Sequence, residues 1–243
     1  MNALIICPLF ANTQASYAAK DKAAEHVHTS PPATADIGTL ADYQLLVAVD
    51  GGAAWFYVQN LVPDLAVGDF DSIDPEVLAW LIDCGVERQQ VSSDKDFSDL
   101  ELALQLCADR GATSAYIVGA VGGRLDHQLT VLGALARSDI SQQRLTGEGQ
   151  DIVLLRCGQE LELCKIARDA GRTPPASPHP QTFSVISLEP ARVSITGARW
   201  DLDQVQLEPL STLGLSNELL PKGGAGDAAT VKVHAGAAFV ICS

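Results

Sequence analysis

Residues 65–72 read Leu-Ala-Val-Gly-Asp-Phe-Asp-Ser, an apolar run that ends in two closely spaced carboxylates. The run over 65–70 has the length and the composition of a strand buried in a parallel sheet. The same order of features precedes it, because a β-prone run over 43–49 leads into Asp-Gly-Gly at 50–52 and then into a predicted short helix over 53–60. These segments predict an α/β fold whose polar residues lie at strand ends, where such folds bind ligands.

The rest of the N-terminal half repeats this alternation of strand and helix. Strands are predicted over 3–9, 86–91 and 116–118, and helices over 75–84, 98–110 and 127–137. Helix 98–110 has apolar residues at i, i+3, i+4, i+7 and i+8, the spacing of a single buried face. Alternating strands and amphipathic helices predict a parallel sheet covered on both faces, so we expect residues 1–145 to form an α/β/α, Rossmann-like domain.

The pattern changes after residue 145 to short strands separated by turns. Segments 151–156 and 160–165 flank a Cys-Gly turn and predict a hairpin. Further strands are predicted over 183–188, 192–196, 204–210, 229–234 and 237–241. Short strands at this spacing predict an all-β domain, a β-sandwich, over residues 146–243. Segments 11–38 and 169–181 are polar, contain prolines and fit neither pattern.

Composition limits the classes of function that are open to the chain. Of the 243 residues, 47% are hydrophobic, enough for a substantial core, and the formal net charge of -14 opposes binding to the phosphates of nucleic acid. No apolar stretch approaches the roughly 20 residues of a membrane span. Six cysteines are scattered without a Cys-x-x-Cys pair, so we expect reduced thiols instead of zinc ligands or disulfides. These features, and an apolar start that lacks a basic leader, predict a cytoplasmic protein.

Acidic residues follow successive predicted strands. In an extended segment Asp69 and Asp71 point to one side while Phe70 points to the core, and Asp50 follows the strand before them. Residues 94–99 (Asp-Lys-Asp-Phe-Ser-Asp) add further carboxylates at the start of a helix. Crowded carboxylates repel one another unless a cation joins them, and oxygen ligands without His or Cys suit Mg²⁺. The alternative for 94–99 is helix capping, which favours the same residue types.

A glycine-rich segment at 119–127 (Gly-Ala-Val-Gly-Gly-Arg-Leu-Asp-His) follows another predicted strand. Its small residues allow backbone amides to approach phosphate oxygens, and the planar guanidinium of Arg124 matches those oxygens. The alternative is an ordinary turn, with Asp126 as the cap of the next helix and His127 in solvent. Residues 224–227 (Gly-Ala-Gly-Asp) look like the anion hole of sugar kinases, but strand-like residues follow them, so we interpret this segment as a loop.

Seven segments, in this order, resemble the thiamine pyrophosphokinase family. They are 50–52, 68–72, 94–101, 122–127, 183–188, 197–202 and 214–218, within a resemblance that extends from residue 43 to the C-terminus. The resemblance implies an N-terminal α/β domain that binds ATP, a C-terminal β-sandwich that helps to bind thiamine, and a homodimer whose active sites are shared between subunits. Two positions depart from the pattern, because Lys95 stands where many members have Gln and Ser98 stands where they have Thr.

The resemblance also implies roles for individual residues. It implies Mg²⁺ ligation by Asp69, Asp71 and Asp99, ATP binding by Asp50, Lys95, Ser98, Arg124, Asp126 and His127, and thiamine binding by Trp200, Ser216 and Asn217. The predicted catalytic residues are Asp71, Asp96, Asp99 and Arg124, and the choice of general base within 94–99 stays open. A tryptophan face suits a cationic aromatic vitamin, whereas the alternative for Trp200 is a position in the sandwich core.

The implied reaction is attack of the thiamine hydroxyl on the β-phosphorus of ATP, with AMP as the leaving group and Mg²⁺ as the cofactor. Positioning, and neutralisation of charge by the metal and by Arg124, supply most of the rate of such a transfer. Two alternatives remain, a pyrophosphokinase for another heterocyclic alcohol such as a pterin and a non-catalytic sensor of a nucleotide or of thiamine diphosphate. Trp200 with Ser216 and Asn217 favours thiamine, and the set of carboxylates favours catalysis.

Overall fold

The computed structural model describes seven parts of the chain and divides them into two compact units. The described residues are 1–8, 37, 39–71, 73–90, 98–163, 182–220 and 229–242. The first unit contains those that lie within 1–35 and 39–140, together with Leu145–Glu148. The second contains Ile37, Ser141–Arg144 and the described residues from Gly149 onward.

Strands and helices alternate along the first unit. Its strands are β1 (Asn2–Ile6), β2 (Leu45–Val49), β3 (Leu65–Gly68), β4 (Glu87–Gln90) and β5 (Ser114–Val118), and its helices are α1 (Ala53–Gln59), α2 (Pro75–Asp83), α3 (Asp99–Asp109) and α4 (Leu125–Arg137). Single 3-10 turns lie at Leu40–Asp42 and Asp50–Gly52. The strands pair in parallel in the order β5-β1-β2-β3-β4. The predicted parallel sheet and its alternating helices are therefore confirmed.

Local sequence explains where these helices begin and end. The Asp74 side chain accepts a hydrogen bond from Glu76 N at 2.8 Å, so Asp74 caps α2 ahead of its first-turn proline, as the sequence predicts. At the other end of α1, Asn60 adopts a left-handed conformation with φ 53° and closes the helix. These caps satisfy backbone groups that a helix leaves unpaired at its ends.

Gly52 permits a close approach of the backbone to the end of β1. A Cβ atom added to Gly52 would lie 2.1 Å from the carbonyl oxygen of Ile6, at the end of β1. A Cβ added to Gly51 would meet nothing nearer than Pro8 Cβ at 3.7 Å. The turn after β2 can therefore lie against the end of β1 only because residue 52 has no side chain.

Antiparallel strands make up the second unit. They are β7 (Gln150–Arg156), β8 (Glu160–Glu162), β9 (Thr182–Ile186), β10 (Ala191–Thr196), β11 (Leu202–Leu207), β12 (Asn217–Glu218), β13 (Thr230–Ala235) and β14 (Ala237–Cys242). One layer has the order β12-β9-β14-β7, and the other has the order β11-β10-β13-β8. Buried residues of both layers form one cluster, for example Val185 and Val240 of the first with Val193 and Val233 of the second.

Strand β6 (Gln142–Gly147) was not predicted, and the division between the two units falls within it. The predicted hairpin over 151–165 is wrong. Strand β7 pairs with β14, whereas β8 pairs with β13 of the other layer. A turn in which Gln159 N donates to Arg156 O at 2.9 Å joins the two layers. Two adjacent strands of similar composition do not reveal whether they pair with each other or with strands that follow much later.

We predict that Gly52→Ala lowers the free energy of unfolding by about 3 kcal/mol, because the new Cβ would overlap a carbonyl oxygen in a closely packed sheet. Urea-induced unfolding of the full chain measures the change. The matched control is Gly51→Ala, for which we expect a change within about 0.5 kcal/mol, since its new methyl makes ordinary contacts. Equal losses in the two variants would contradict this account of the turn.

Candidate active site

The carboxylate of Asp50 lies at the carboxyl end of β2, held by its contact with the next strand. Asp50 adopts a left-handed backbone conformation with φ 44°, which is uncommon for a residue other than glycine. A Cβ added to Gly68 would lie 1.8 Å from Asp50 Oδ1, so the carboxylate rests against the bare Cα of Gly68. Gly68 itself has φ 156°. The Asp-Gly-Gly turn after β2 and the Gly-Asp-Phe-Asp turn after β3 are therefore in direct contact.

Asp69 and Asp71 flank a buried phenylalanine. The sequence predicts that both lie on one side of an extended strand, but the structure does not place them there. Strand β3 ends at Gly68, and Phe70 is left-handed with φ 60° and only 9% exposed. The Asp69 carboxylate accepts a hydrogen bond from Asp71 N at 3.2 Å, which closes a turn. The anchoring of Phe70 in the core is confirmed. The extended geometry is wrong, because the chain leaves the strand two residues earlier.

Two of the predicted carboxylates, Asp50 and Asp99, lie close enough to Cys7 to change the pKa of its thiol. Its thiol is buried at the end of β1, and burial raises the pKa of Cys7 far above its usual value. The negative charges of Asp50 and Asp99 raise this pKa further. The end of β2 and the start of α3 are thus brought to the carboxyl end of β1, where we expected the acidic residues to meet.

The predicted metal ligands have suitable chemistry. Within the described ranges no group of three or more His, Cys, Asp or Glu residues has an arrangement that could hold a metal ion. Asp69 and Asp99 are half-buried and Asp71 is exposed, so carboxylate oxygens without nitrogen or sulfur ligands are available to a hard cation. The donor set therefore fits Mg²⁺ by its chemistry, and the assignment of these ligands stays a prediction.

Most of the predicted 94–99 cluster lies outside the described residues, including Lys95 and Asp96. Its last two residues begin α3. Ser98 is the N-cap residue, and its hydroxyl accepts a hydrogen bond from Glu101 N at 3.2 Å. Asp99 is the first residue of the helix. The capping alternative is therefore confirmed for Ser98, while its predicted contact with ATP stays a prediction.

The glycine-rich loop after β5 leads to an exposed ion pair. Arg124 Nε donates to Asp126 Oδ1 at 3.0 Å, and the same oxygen accepts from His127 N at 3.0 Å. The hydrogen bond from Arg124 is the main reason that the pKa of Asp126 falls to about 2. Helix α4 begins at Leu125 after Arg124, so the alternative of Asp126 as the cap residue is wrong. Arg124, Asp126 and His127 are all exposed.

Glu148 also lies at this loop and was not predicted. It follows β6 in a left-handed conformation with φ 48°. A Cβ added to Gly122 would lie 2.4 Å from Glu148 Oε1, so the glutamate packs against the loop. The signal in the sequence is the Gly-Glu-Gly turn at 147–149, which we had not connected with the loop because 24 residues separate Glu148 from Arg124.

In the second unit Trp200 is half exposed. Its side chain is 51% exposed, whereas Trp55 of the first unit is 7% exposed, so the core alternative for Trp200 is wrong. The guanidinium carbon of Arg199 lies 4.8 Å from the centre of the Trp200 ring, a cation–π contact. Arg199 is in turn paired with Glu218 at 2.7 Å. Neither Arg199 nor Glu218 was predicted to belong to this site.

Ser216 and Asn217 flank the start of β12, close to Trp200. Ser216 is left-handed with φ 55°, and its backbone N–H donates to Ser184 Oγ at 3.0 Å. Asn217 is 4% exposed, and its side chain bonds the backbone of Trp200 at both polar groups. The structure therefore brings Trp200, Ser216 and Asn217 together, as the sequence predicts. Their contacts with thiamine stay a prediction.

Two family models match the chain in sequence. One, described as thiamin pyrophosphokinase, catalytic domain, matches residues 38–146, and the other, described as thiamin pyrophosphokinase, vitamin B1 binding domain, matches residues 173–237. Together they cover most of the chain, in the order that the sequence motifs predict. The first match ends within β6, and β7 lies in the gap between the two matches.

Relatives and solved structures carry related names. The chain is 26% identical to the thiamine pyrophosphokinase of Bacillus subtilis over 192 residues, which are 77% of this chain and 84% of the relative. It is 28% identical to thiamine pyrophosphokinase 1 of Oryza sativa over 166 residues, 64% of this chain and 58% of the rice protein. A thiamin pyrophosphokinase family protein from Enterococcus faecalis has a similar fold, with a TM-score of 0.70 and 24% identity over 100% of this chain and 99% of the other. The Candida albicans enzyme has a TM-score of 0.65 and 18% identity, with coverage of 99% and 89%.

Proposed function

Because this chain belongs to the thiamine pyrophosphokinase family, we propose that it transfers the diphosphate of ATP to the hydroxyl of thiamine. The products are thiamine diphosphate and AMP, and the enzyme is an ATP-dependent diphosphotransferase. The observation that carries the proposal is the pair of family matches, one to a catalytic domain and one to a vitamin B1 binding domain. The second match disfavours a pterin as the acceptor, and the first disfavours a sensor without catalysis.

The carboxylates of the first unit bind the donor nucleotide in this proposal. Asp69, Asp71 and Asp99 would hold Mg²⁺, and the cation would supply positive charge against the transferred phosphates. The acidic chain supports this assignment, since a net charge of -14 makes direct binding of a polyphosphate unfavourable without a cation. The carboxylate of Asp50 lies against Gly68 at the same edge of the sheet, on the side where ATP binds in this proposal.

Arg124 supplies positive charge from the glycine-rich loop. Its guanidinium is bonded to the exposed carboxylate of Asp126, and exposed ion pairs contribute little to stability. When ATP binds, Arg124 can therefore exchange its bond to the Asp126 carboxylate for bonds to a phosphate group at little cost. Its planar guanidinium can donate two parallel hydrogen bonds to phosphate oxygens. His127 lies in the first turn of α4 beside them, where the helix N-terminus favours an anion.

In the chemical step the thiamine hydroxyl oxygen forms a bond to the β-phosphorus of ATP. The bond from that phosphorus to the oxygen that bridges it to the α-phosphorus breaks, and AMP leaves with this oxygen. A carboxylate takes the hydroxyl proton, and the aspartates of 94–99 are the candidates for this general base. The acceptor lies on the exposed part of the Trp200 ring, where a cationic aromatic molecule is attracted to the indole face, with Ser216 close by.

We predict equal amounts of AMP and thiamine diphosphate when the purified chain is supplied with ATP, Mg²⁺ and thiamine, and no turnover when EDTA removes the metal. Asp71→Asn should reduce kcat by about 100-fold or more, since it removes a charged ligand of the cation. Asp74→Asn is the matched control, because asparagine caps α2 as well as aspartate does and Asp74 has no role in the proposed site. ADP as the product would contradict the proposed reaction.

We further propose a cytoplasmic homodimer in which each active site takes residues from both subunits. The resemblance of the motifs to the family supports this assembly, and so do the exposed apolar side chains of the second unit. Leu210, Leu213 and Leu215 are 63%, 53% and 50% exposed, which is more apolar surface than a solvated segment of this length usually shows. In this arrangement Asp71 of one subunit and Trp200 of the other serve the same reaction.

Mixing two inactive variants tests the shared site. Trp200→Ala should stay folded, because Trp200 is half exposed, and should lose activity at low thiamine concentration. Mixed with Asp71→Asn under conditions of subunit exchange, it should recover about a quarter of wild-type activity, since half of the dimers are mixed and each has one intact site. Native mass spectrometry of tagged subunits verifies the exchange. Mixed dimers without recovered activity would show that Asp71 and Trp200 act within one chain.

A further inference from the structure

The side chain of Asn217 is buried and bonded on both sides. Its Oδ1 accepts hydrogen bonds from Trp200 N at 3.1 Å and from Glu218 N at 2.9 Å, and its Nδ2 donates to Trp200 O at 2.8 Å. An amide oxygen has two lone pairs, so both acceptor positions of Asn217 are used. With 4% of the residue exposed, this side chain is directed at the protein.

These bonds join Trp200 to β12 as a neighbouring strand would. On one side of Trp200 the chain is already tied to β12, because Arg199 N donates to Glu218 O at 2.9 Å. On the other side, Asp201 Oδ1 accepts from Ala198 N at 3.0 Å and closes the turn. Between these points, the amide of Asn217 reaches both the N–H and the C=O of Trp200 and takes the place of a backbone partner.

We propose that Asn217 is a positioning residue, which orients Trp200 for the acceptor and does not bind the acceptor itself. The inference rests on the proposed function, in which the acceptor stacks on Trp200. The indole is attached to the backbone through two rotatable bonds, so bonds that fix the Trp200 backbone fix the point from which the ring projects, and the Arg199 guanidinium over the ring limits its rotation. An amide can donate and accept at once, whereas an aspartate carboxylate at this position only accepts and an alanine does neither.

The same side chain also fixes the group that covers the Trp200 ring. Glu218, whose backbone N–H donates to Asn217 Oδ1, pairs with Arg199, and the Arg199 guanidinium lies over the indole. Asn217 thus fixes the backbone that carries the ring and, through Glu218, helps to hold the Arg199 cation over the ring. Release of Asn217 should loosen both together.

A double-mutant cycle distinguishes positioning from direct contact. If Asn217 acts through Trp200, Asn217→Ala raises the KM for thiamine by about 10-fold in the wild-type chain but by less than about 2-fold in a Trp200→Ala background. The KM for ATP should not change. A direct contact between Asn217 and thiamine would give the same factor in both backgrounds, which would overturn the inference. Ser216→Ala is the matched control, and its effect on the thiamine KM should persist in the Trp200→Ala background.

Acrylamide quenching of tryptophan fluorescence tests the positioning without any substrate. Asn217→Ala should increase the quenching of Trp200, measured as the difference from the same variant that also carries Trp200→Phe, while Ser216→Ala leaves it unchanged. Asn217→Asp keeps the two accepted hydrogen bonds but loses the donated one, and should quench to an intermediate degree. It also preserves the test if Asn217→Ala does not fold. Unchanged quenching in folded Asn217→Ala or Asn217→Asp would overturn the inference.

The two measurements separate the inference from the proposed function. If the wild-type chain converts no thiamine but the quenching of Trp200 follows the expected order, the proposed function fails. The inference that Asn217 positions Trp200 is then still supported. If thiamine is converted and the cycle is additive, the function stands and Asn217 contacts the acceptor directly.

Discussion

The close approach of backbone atoms at the ends of β1, β2 and β3 is the constraint on which the first unit depends. Gly52 lies against the Ile6 carbonyl, and the carboxylate of Asp50 lies against the Cα of Gly68. Neither contact tolerates a side chain. These glycines bring together the strand ends that carry Asp50 and Asp69. The acidic edge of the sheet therefore follows from packing, and the proposed binding of a cation depends on this edge.

In the second unit the main constraint concerns Trp200, a large aromatic residue that is half exposed and whose backbone is held by hydrogen bonds. A half-exposed tryptophan loses apolar contacts that a buried one would have, so its placement depends on the bonds to its backbone and on the group that covers its ring. Asn217 and Asp201 supply side-chain bonds to the 198–201 turn, and Arg199 covers the ring while Glu218 holds Arg199. Polar groups that are fully paired in this way give rigidity at a surface.

Much of the fold followed from local patterns, and the features that did not were set by distant residues. Helix α3 and its cap were predictable, because apolar spacing and capping residues act within a few positions. The turn at Asp69 and Asp71 was not, because the chain leaves the strand where Gly68 meets Asp50. The partners of β7 and β8 lie in β14 and β13, about 80 residues on in the sequence, which local patterns do not report. The hydrogen bonds between Asn217 and Trp200 likewise join residues 17 positions apart.

In the proposed mechanism the carboxylates at the strand ends bind the nucleotide through a divalent cation. Thermal unfolding with an ATP analogue whose α,β-bridging oxygen is replaced by a methylene group tests it without turnover. At about 100 times its dissociation constant, the analogue with Mg²⁺ should raise the melting temperature by about 5 °C, whereas either one alone should not. The rise should be absent in Asp71→Asn and present in Asp74→Asn. An equal rise with the analogue and EDTA, or in Asp71→Asn, would contradict the account.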